Sequence, residues 1–483
     1  MTVTVRHLAS TYDTEETAIA LAGTVEIWPA EAGWIVLAGG IAESGLSLFS
    51  VASSGPFVHV GTVESGLLAG LTGLVGDPDA PGVTHLATAR FASGVLPVTV
   101  ASGSIDLGSS FGDAPVAALA LFRIADTTWS ISSTGSGLRL STPTMVREIA
   151  DTSDLPLGDV SAIATVRTGQ RDVVVAASAF DAGLVSFTLA EDGTTETKSV
   201  VTVGGDVPAS RIMDLETASV GVRDFVVAAG AGTSSLTVFE VLPKGGLVQR
   251  DHVTDRTDTR FATASVLEVV EVAGRTLVLA AGSDDGFSIF ELSHGGKLDH
   301  LASVEDRLDR ALSGIGDLSA QVNGSTATLA VAGGGDDGIA LLAIDVEPLD
   351  QRLIGSRAPD HLVGGAGPDD LSGARGQDRL EGGAGDDVLR DGKARDVLIG
   401  GPGADIFALY PDTRTDRILD FAIGEDVIDL STYPLLYRFE DLDIRPRAHG
   451  ANIFIRDEKL RVESEDGTRL SLELWAPDQF IFA

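Results

Sequence analysis

Six aspartates stand nine residues apart: Asp360, Asp369, Asp378, Asp387, Asp396 and Asp405. A carboxylate repeated on a fixed period is a row of hard, anionic oxygens, and such oxygens suit Ca2+. From Gly355 the chain falls into blocks of nine without a slip: GSRAPDHLV, GGAGPDDLS, GARGQDRLE, GGAGDDVLR, DGKARDVLI and GGPGADIFA. The sixth position of each block is acidic. The eighth is large and apolar: Leu362, Leu371, Leu380, Leu389, Leu398 and Phe407. A Gly/Asp-rich flexible linker has no reason to keep a large apolar residue at every ninth position.

These aspartates need elements to hold them. The eighth-position side chain fits a very short strand and points inward. Glycine supplies the tight turns between strands and lets backbone carbonyls approach an ion. That role falls to Gly364, Gly365, Gly367, Gly373, Gly376, Gly382, Gly383, Gly385, Gly400, Gly401 and Gly403. One block makes half a coil, so alternate blocks stack. Asp369 with Asp387, or Asp378 with Asp396, can then share an ion between adjacent turns, with glycine-segment carbonyls as further ligands. Ser356, Arg357 and Ala358 weaken the first block. Asp391 replaces the leading glycine of the fifth, where Lys393, Ala394 and Arg395 also intrude. The strongest sites are expected between Gly364 and Leu389.

The blocks resemble the RTX nonapeptide GGxGxDxUx, which implies a calcium-binding parallel β-roll over 355–408. The run TDRILDFAIGEDVIDLS at 415–431 resembles the segment that follows the roll in serralysin-type C-terminal domains. That likeness implies Asp416 and Asp420 as secondary calcium ligands, with an amphipathic capping strand as the alternative for each. The tail DQFIFA at 478–483 is similar to the ends of type I-secreted proteins.

Composition fits this reading. The 483 residues carry a formal charge of −36, which disfavours nucleic acid and favours cations. There is no cysteine, hence no disulfide and no thiol chemistry. The N-terminal residues lack a basic region followed by an apolar run, so no cleavable signal peptide is expected there. No window is long and apolar enough for a membrane span. A roll of stacked carboxylates and three-residue strands should need metal to fold. Extracellular modules bind calcium at about 10⁻⁴–10⁻³ M, so this one should stay unfolded in a calcium-poor cytoplasm and fold outside. The expected location is therefore extracellular, the expected cofactor Ca2+, and the expected exporter the type I secretion machinery.

The first 350 residues repeat on a longer period. Apolar strand, small Gly/Asp turn and alternating strand recur at 172, 224, 276 and 327, with an earlier copy at 34 and a divergent one at 96. Phe187, Phe239, Phe290 and Leu342 occupy corresponding positions. Four strands per repeat at this period predict a β-propeller, and six copies are countable. RHLASTYD at 6–13 matches the outer-strand sequence DHLASVED at 299–306, while the last copy lacks an outer strand. The N-terminal strand is thus expected to close the ring. The repeats resemble YVTN/lactonase-like propellers. The reading is an all-β chain: a propeller over 1–350 of about six blades, a β-roll over 351–414 and a small β cap over 415–483.

Catalytic motifs are sparse. None of His7, His59, His85, His252, His294, His300, His361 and His449 forms HExxH, and no nucleophile elbow stands in a strand–turn–helix context. His7 and His300 hold equivalent outer-strand positions, which marks them as repeat features. The acidic turns Asp284–Asp285 and Asp336–Asp337 either hold a metal on one propeller face or are simply good turn formers. The expectation is a non-enzymatic calcium-binding protein whose propeller binds a protein or glycan. The alternatives are a lactonase-like hydrolase with a metal in the propeller channel and a matrix protein assembled through calcium. Three or more carboxylate or amide oxygens at the propeller axis would favour the hydrolase.

Overall fold

The computed structural model describes residues 3–482 except 31, 53–54, 77–83, 90–93, 102–103, 111–115, 125–126, 143–144, 169–170, 179–182, 191, 202–208, 221–222, 294, 308–309, 347–350, 434–435, 437 and 457. His294 and the turn at 179–182 therefore lie outside the described residues. The chain divides into two compact units, the second containing Pro348–Ala483.

The first unit holds seven four-stranded antiparallel sheets among the described residues. Their inner strands are Ala22–Ala30, Leu71–Gly76, Leu119–Ile124, Val160–Thr168, Ile212–Val220, Val266–Val272 and Ile315–Asn323, taken here as blades one to seven. Each inner strand neighbours the next, and the seventh neighbours the first, so the sheets form a closed ring. Second strands such as Arg171–Ser178 and Arg223–Gly230 are buried on both faces because each blade packs between two others. Val173 and Val175 of blade four share one core with Val226, Ala228 and Phe239 of blade five. This explains their near-continuous apolar runs.

The blade count is seven, not six. The divergent copy at 96 straddles two blades: Val95–Ala101 is a third strand of blade two, and Leu119–Ile124 is the inner strand of blade three. The matching second strands, Thr84–Ala89 (THLATA) and Thr127–Thr134 (TTWSISST), lack the apolar run that marks the other copies. A pattern keyed to that run merges the two blades into one.

Ring closure is as the sequence implies. Val3–Tyr12 pairs antiparallel with Gly338–Val346, from Val3 opposite Val346 to Tyr12 opposite Gly338. It serves as the outer strand of blade seven. Three of the outer-strand histidines share one local bond: His7 Nε2 with Ser10 Oγ at 2.9 Å, His59 Nε2 with Thr62 Oγ1 at 2.8 Å, and His300 Nε2 with Ser303 Oγ at 2.9 Å.

In the second unit, two parallel ladders run side by side. One stacks Gln351–Ile354, Asp369–Ser372, Val388–Arg390, Ile406–Ala408 and Val427–Asp429; the other stacks His361–Val363, Arg379–Glu381, Val397–Ile399 and Thr415–Phe421. Leu371 lies opposite Leu389 and Leu380 opposite Leu398, so alternate blocks stack as expected. Leu371, Leu380, Leu389, Leu398, Phe407, Ile418 and Ile428 form one inner column, each fully buried. The solenoid runs on past residue 414 to Asp429. Glu458–Ser464 then adds in parallel to Thr415–Phe421, followed by the antiparallel strands Gly450–Ile455 and Asp443–Arg447.

Candidate metal centre

The solenoid places its aspartates in two columns joined by backbone hydrogen bonds. Four of the six sixth-position carboxylates accept from the aspartate amide 18 residues earlier: Asp360 N to Asp378 Oδ1 at 2.8 Å, Asp369 N to Asp387 Oδ1 at 2.8 Å, Asp378 N to Asp396 Oδ1 at 2.7 Å, and Asp387 N to Asp405 Oδ1 at 2.9 Å. The columns do not stop at the repeats. Asp396 N donates to Asp416 Oδ1 at 2.8 Å and Asp405 N to Asp426 Oδ1 at 3.0 Å. Those steps span 20 and 21 residues instead of 18, because the later turns carry extra residues. This lengthening hides Asp426 from a nine-residue count.

The remaining oxygens decide what the columns are for. Asp369 Oδ1 and the Oδ2 atoms of Asp378, Asp387, Asp396 and Asp405 are buried without a hydrogen-bond partner. A buried carboxylate oxygen left unpaired is costly, so five in one region require explanation, and a bound cation supplies it. Asp360 differs: Ser356 occupies its Oδ2 through backbone N at 2.6 Å and Oγ at 2.9 Å. Asp420 accepts from Gly400 N at 3.0 Å and Gly401 N at 2.8 Å, which ties its strand to the last glycine turn.

The glycines are sterically required. A Cβ on Gly364, Gly382 or Gly400 would lie 2.3, 2.2 or 2.0 Å from Oδ2 of Asp369, Asp387 or Asp405. One on Gly373 or Gly376 would crowd the Asp378 carboxylate at 2.7 Å. Gly401 stacks on Gly383, and Gly383 on Gly365, so closely that a Cβ would fall 1.7 and 2.1 Å from the carbonyl oxygen below. Gly403, Gly385 and Gly367 stack in the same way. The fifth block breaks the glycine rule with a gain: Asp391 is buried, with its Oδ1 accepting from Tyr410 N at 2.8 Å. Oxygens of Asp391, Asp396 and Asp416 lie within 4.8 Å of one another, as do those of Asp412, Asp416 and Glu458. Calcium holds its oxygens at 2.3–2.6 Å, a shell about 5 Å across.

Electrostatics agree. Burial is the largest cause raising Asp387 and Asp396 to about 7, Asp405 to about 8, and Asp416 and Asp426 to about 7, with neighbouring carboxylates adding to it. Burial also raises Asp378, Asp420 and, further, Asp391. Without metal, Asp387, Asp396, Asp405, Asp416 and Asp426 are partly protonated at neutral pH, and a cation would displace those protons.

The family of RTX calcium-binding nonapeptide repeats matches at residues 349–380 and 381–408, in four copies. Residues 349–408 are RTX calcium-binding repeats. No curated protein matches the chain. The RTX roll binds Ca2+, and the residues present fit the ion. The buried aspartate oxygens would hold it, while the stacked glycine turns keep the backbone close around them.

In the propeller, the acidic turns act as clips. Asp284 Oδ2 accepts from Ala262 N at 3.2 Å, Asp285 Oδ1 from Ser313 Oγ at 2.9 Å, Asp336 Oδ2 from Ser313 N at 3.0 Å, and Asp337 Oδ1 from Leu21 N at 2.7 Å. The axis is lined by other acids. A cavity of about 460 Å3 is bounded by inner strands and holds Glu26, Asp214, Glu216, Glu268 and Asp317. Asp214 Oδ2 accepts from Leu267 N at 2.7 Å and Asp317 Oδ2 from Val25 N at 2.9 Å, each reaching the next blade. Glu26 accepts from Gly76 N at 3.2 Å and Glu268 from Ala320 N at 2.8 Å. Burial raises Glu26 and Glu216 to about 8, Asp317 to about 7 and Asp214 to about 6. Sequence reasoning passed over these acids, although VEI, LET and LEV place a glutamate at the same point of three inner strands.

Proposed function

We propose that this is a secreted calcium-binding protein. Its RTX roll folds on meeting extracellular calcium after type I export, and its propeller serves as a binding module for a protein or glycan. The observation that carries this reading is the double column of buried aspartates with unpartnered oxygens. Such an arrangement is poorly stable without a cation, and metal affinity then becomes folding free energy. An unfolded, cysteine-free roll in a calcium-poor compartment suits passage through a narrow exporter. Hydrogen exchange of the full chain tests the folding step. In excess chelator, amides of 361–429 should exchange freely while those of 212–346 stay protected; calcium should restore the first set. Full protection of 361–429 in chelator would sink the claim. Export is tested by co-expression with a type I exporter: deleting 478–483 should trap the protein in the cells, and unchanged export would overturn that assignment.

The channel acids favour a second reading, a hydrolase with a metal in the propeller channel. Five carboxylates there exceed the three that the sequence reading required. Against it, among the described residues three acidic side chains come within 4.8 Å of one another at two places, both in the second unit. Metal uptake that persists when 348–483 is saturated, and that is lost in Glu216→Gln/Glu268→Gln, would support the hydrolase.

A further inference from the structure

We infer that Asp412, Asp416 and Glu458 form a cation site of a different kind from the repeat sites, one that fastens the C-terminal cap strand to the roll. It rests on the reading that the roll takes calcium, and it goes beyond that reading by assigning a ligand far outside the repeats.

The three carboxylates come from separate segments. Asp412 sits in the turn after the last repeat, Asp416 in Thr415–Phe421, and Glu458 at the start of Glu458–Ser464. Their ligand oxygens lie within 4.8 Å of one another. Three negative charges at that distance repel strongly unless a cation or protons stand between them. Among the described residues none of the three pairs with an arginine or lysine. The backbone holds them in place: Asp412 accepts on both oxygens, Oδ1 from Arg414 N at 2.8 Å and Oδ2 from Ala394 N, while Asp416 Oδ1 accepts from Asp396 N at 2.8 Å and Glu458 Oε2 from Thr413 N at 3.3 Å.

A second observation points to a ligand. Glu458 is 5% exposed, and its Oε1 is buried without any hydrogen-bond partner. A glutamate opening a strand could reach solvent at little cost; this one is kept inside, beside the Tyr433 hydroxyl and with a carboxylate oxygen within 4.8 Å of two aspartates. Three carboxylates held in place by backbone hydrogen bonds are a partial shell for a divalent cation of the calcium class, since a carboxylate oxygen that accepts one hydrogen bond keeps a lone pair for the ion. Unlike the repeat sites, this one draws on side chains from both roll and cap. Occupancy would therefore pin Glu458–Ser464 against Thr415–Phe421, the parallel pairing that ends the roll.

The test uses the full chain stripped with chelator and titrated with CaCl2 in a calorimeter, with hydrogen exchange read in parallel. Glu458→Gln keeps the shape and removes the charge. Asp412→Asn does the same at a half-buried turn, giving up one of the two backbone hydrogen bonds that Asp412 accepts. Each should bind one calcium fewer than wild type, and calcium should no longer add protection across 458–464 while 369–407 remains protected. Wild-type stoichiometry in both variants would overturn the site and leave the repeat sites standing. No calcium uptake by wild type would overturn this site and the proposed function together. Asp369→Asn, at the far end of the roll, should leave calcium protection of 458–464 intact; its loss there would also count against a separate site.

Discussion

The propeller and the roll are both repeats, and both are β, but they bury their sheets by different means. A propeller repeat brings its own apolar payload: Phe49, Phe187, Phe239 and Phe290 are each at most 1% exposed, within strands of six to eight residues. A roll repeat brings one leucine per nine residues, on strands of three or four. Burying a leucine contributes about 1.5–3 kcal/mol, whereas ordering one residue's backbone costs about 1–2 kcal/mol. The roll therefore depends on something beyond apolar burial, and its second column, the aspartates, shows what. The propeller uses its acids differently, as clips from one blade to the next.

If that contrast is right, calcium should act on one unit alone. Differential scanning calorimetry of the full chain should show two transitions, of which only the one belonging to 348–483 moves with calcium. At a thousandfold excess over the dissociation constant the shift should correspond to about 4 kcal/mol. A single transition moving as a whole would erase the distinction. Next in size are core truncations. Phe239→Ala should cost the propeller about 3–5 kcal/mol at any calcium level. Phe407→Ala should show chiefly as a higher calcium midpoint, read by hydrogen exchange.

A smaller effect is the pH dependence of calcium uptake by the roll. In the folded roll, burial pushes the carboxyl groups of Asp387, Asp396, Asp405, Asp416 and Asp426 up to about 7 to 8, above the unfolded value of about 3.9. The metal-free folded roll thus binds more protons than the unfolded chain. Their contribution is fully present below about pH 4 and lost as pH rises through 7 to 8. Calcium requires the deprotonated form, so the calcium midpoint should fall as pH climbs from 5 to 8. A midpoint flat with pH would show that these carboxylates are not the ligands. Smallest of all is Glu216→Gln in the propeller channel. Above pH 8, where Glu216 is ionised, relieving that buried charge without cutting a clip should raise the propeller melting temperature slightly and leave calcium uptake unchanged; at pH 7 both should stay as in wild type.

The sequence made the roll readable because its period is rigid: a Cβ at Gly401 or an apolar gap at Leu389 would break contacts with the coils on either side, so each block declares itself. Asp426, Asp412 and Glu458 escaped because they lie where the period lapses and the chain returns from a distance. The propeller showed its class and its closure through the paired strings at 6–13 and 299–306. It hid one blade because Thr84–Ala89 and Thr127–Thr134 are polar enough to look like loops. The channel acids went unseen because a lone glutamate after an apolar residue is common, and only the seven-fold ring shows that three such glutamates share one axis.

The strand Val3–Tyr12 also sets an order of events. Its partner ends at Val346, so the ring stays open during synthesis until nearly the whole propeller has left the ribosome. Residues 3–12 must wait, unpaired, for 338–346. The entropy of closing so long a loop grows only slowly with length, but the delay itself is a kinetic burden typical of distant pairings. A circular permutant that begins at blade one and carries the 3–12 segment after residue 346 would turn the latest contact in the ring into a local hairpin, and should fold faster without gaining stability in proportion.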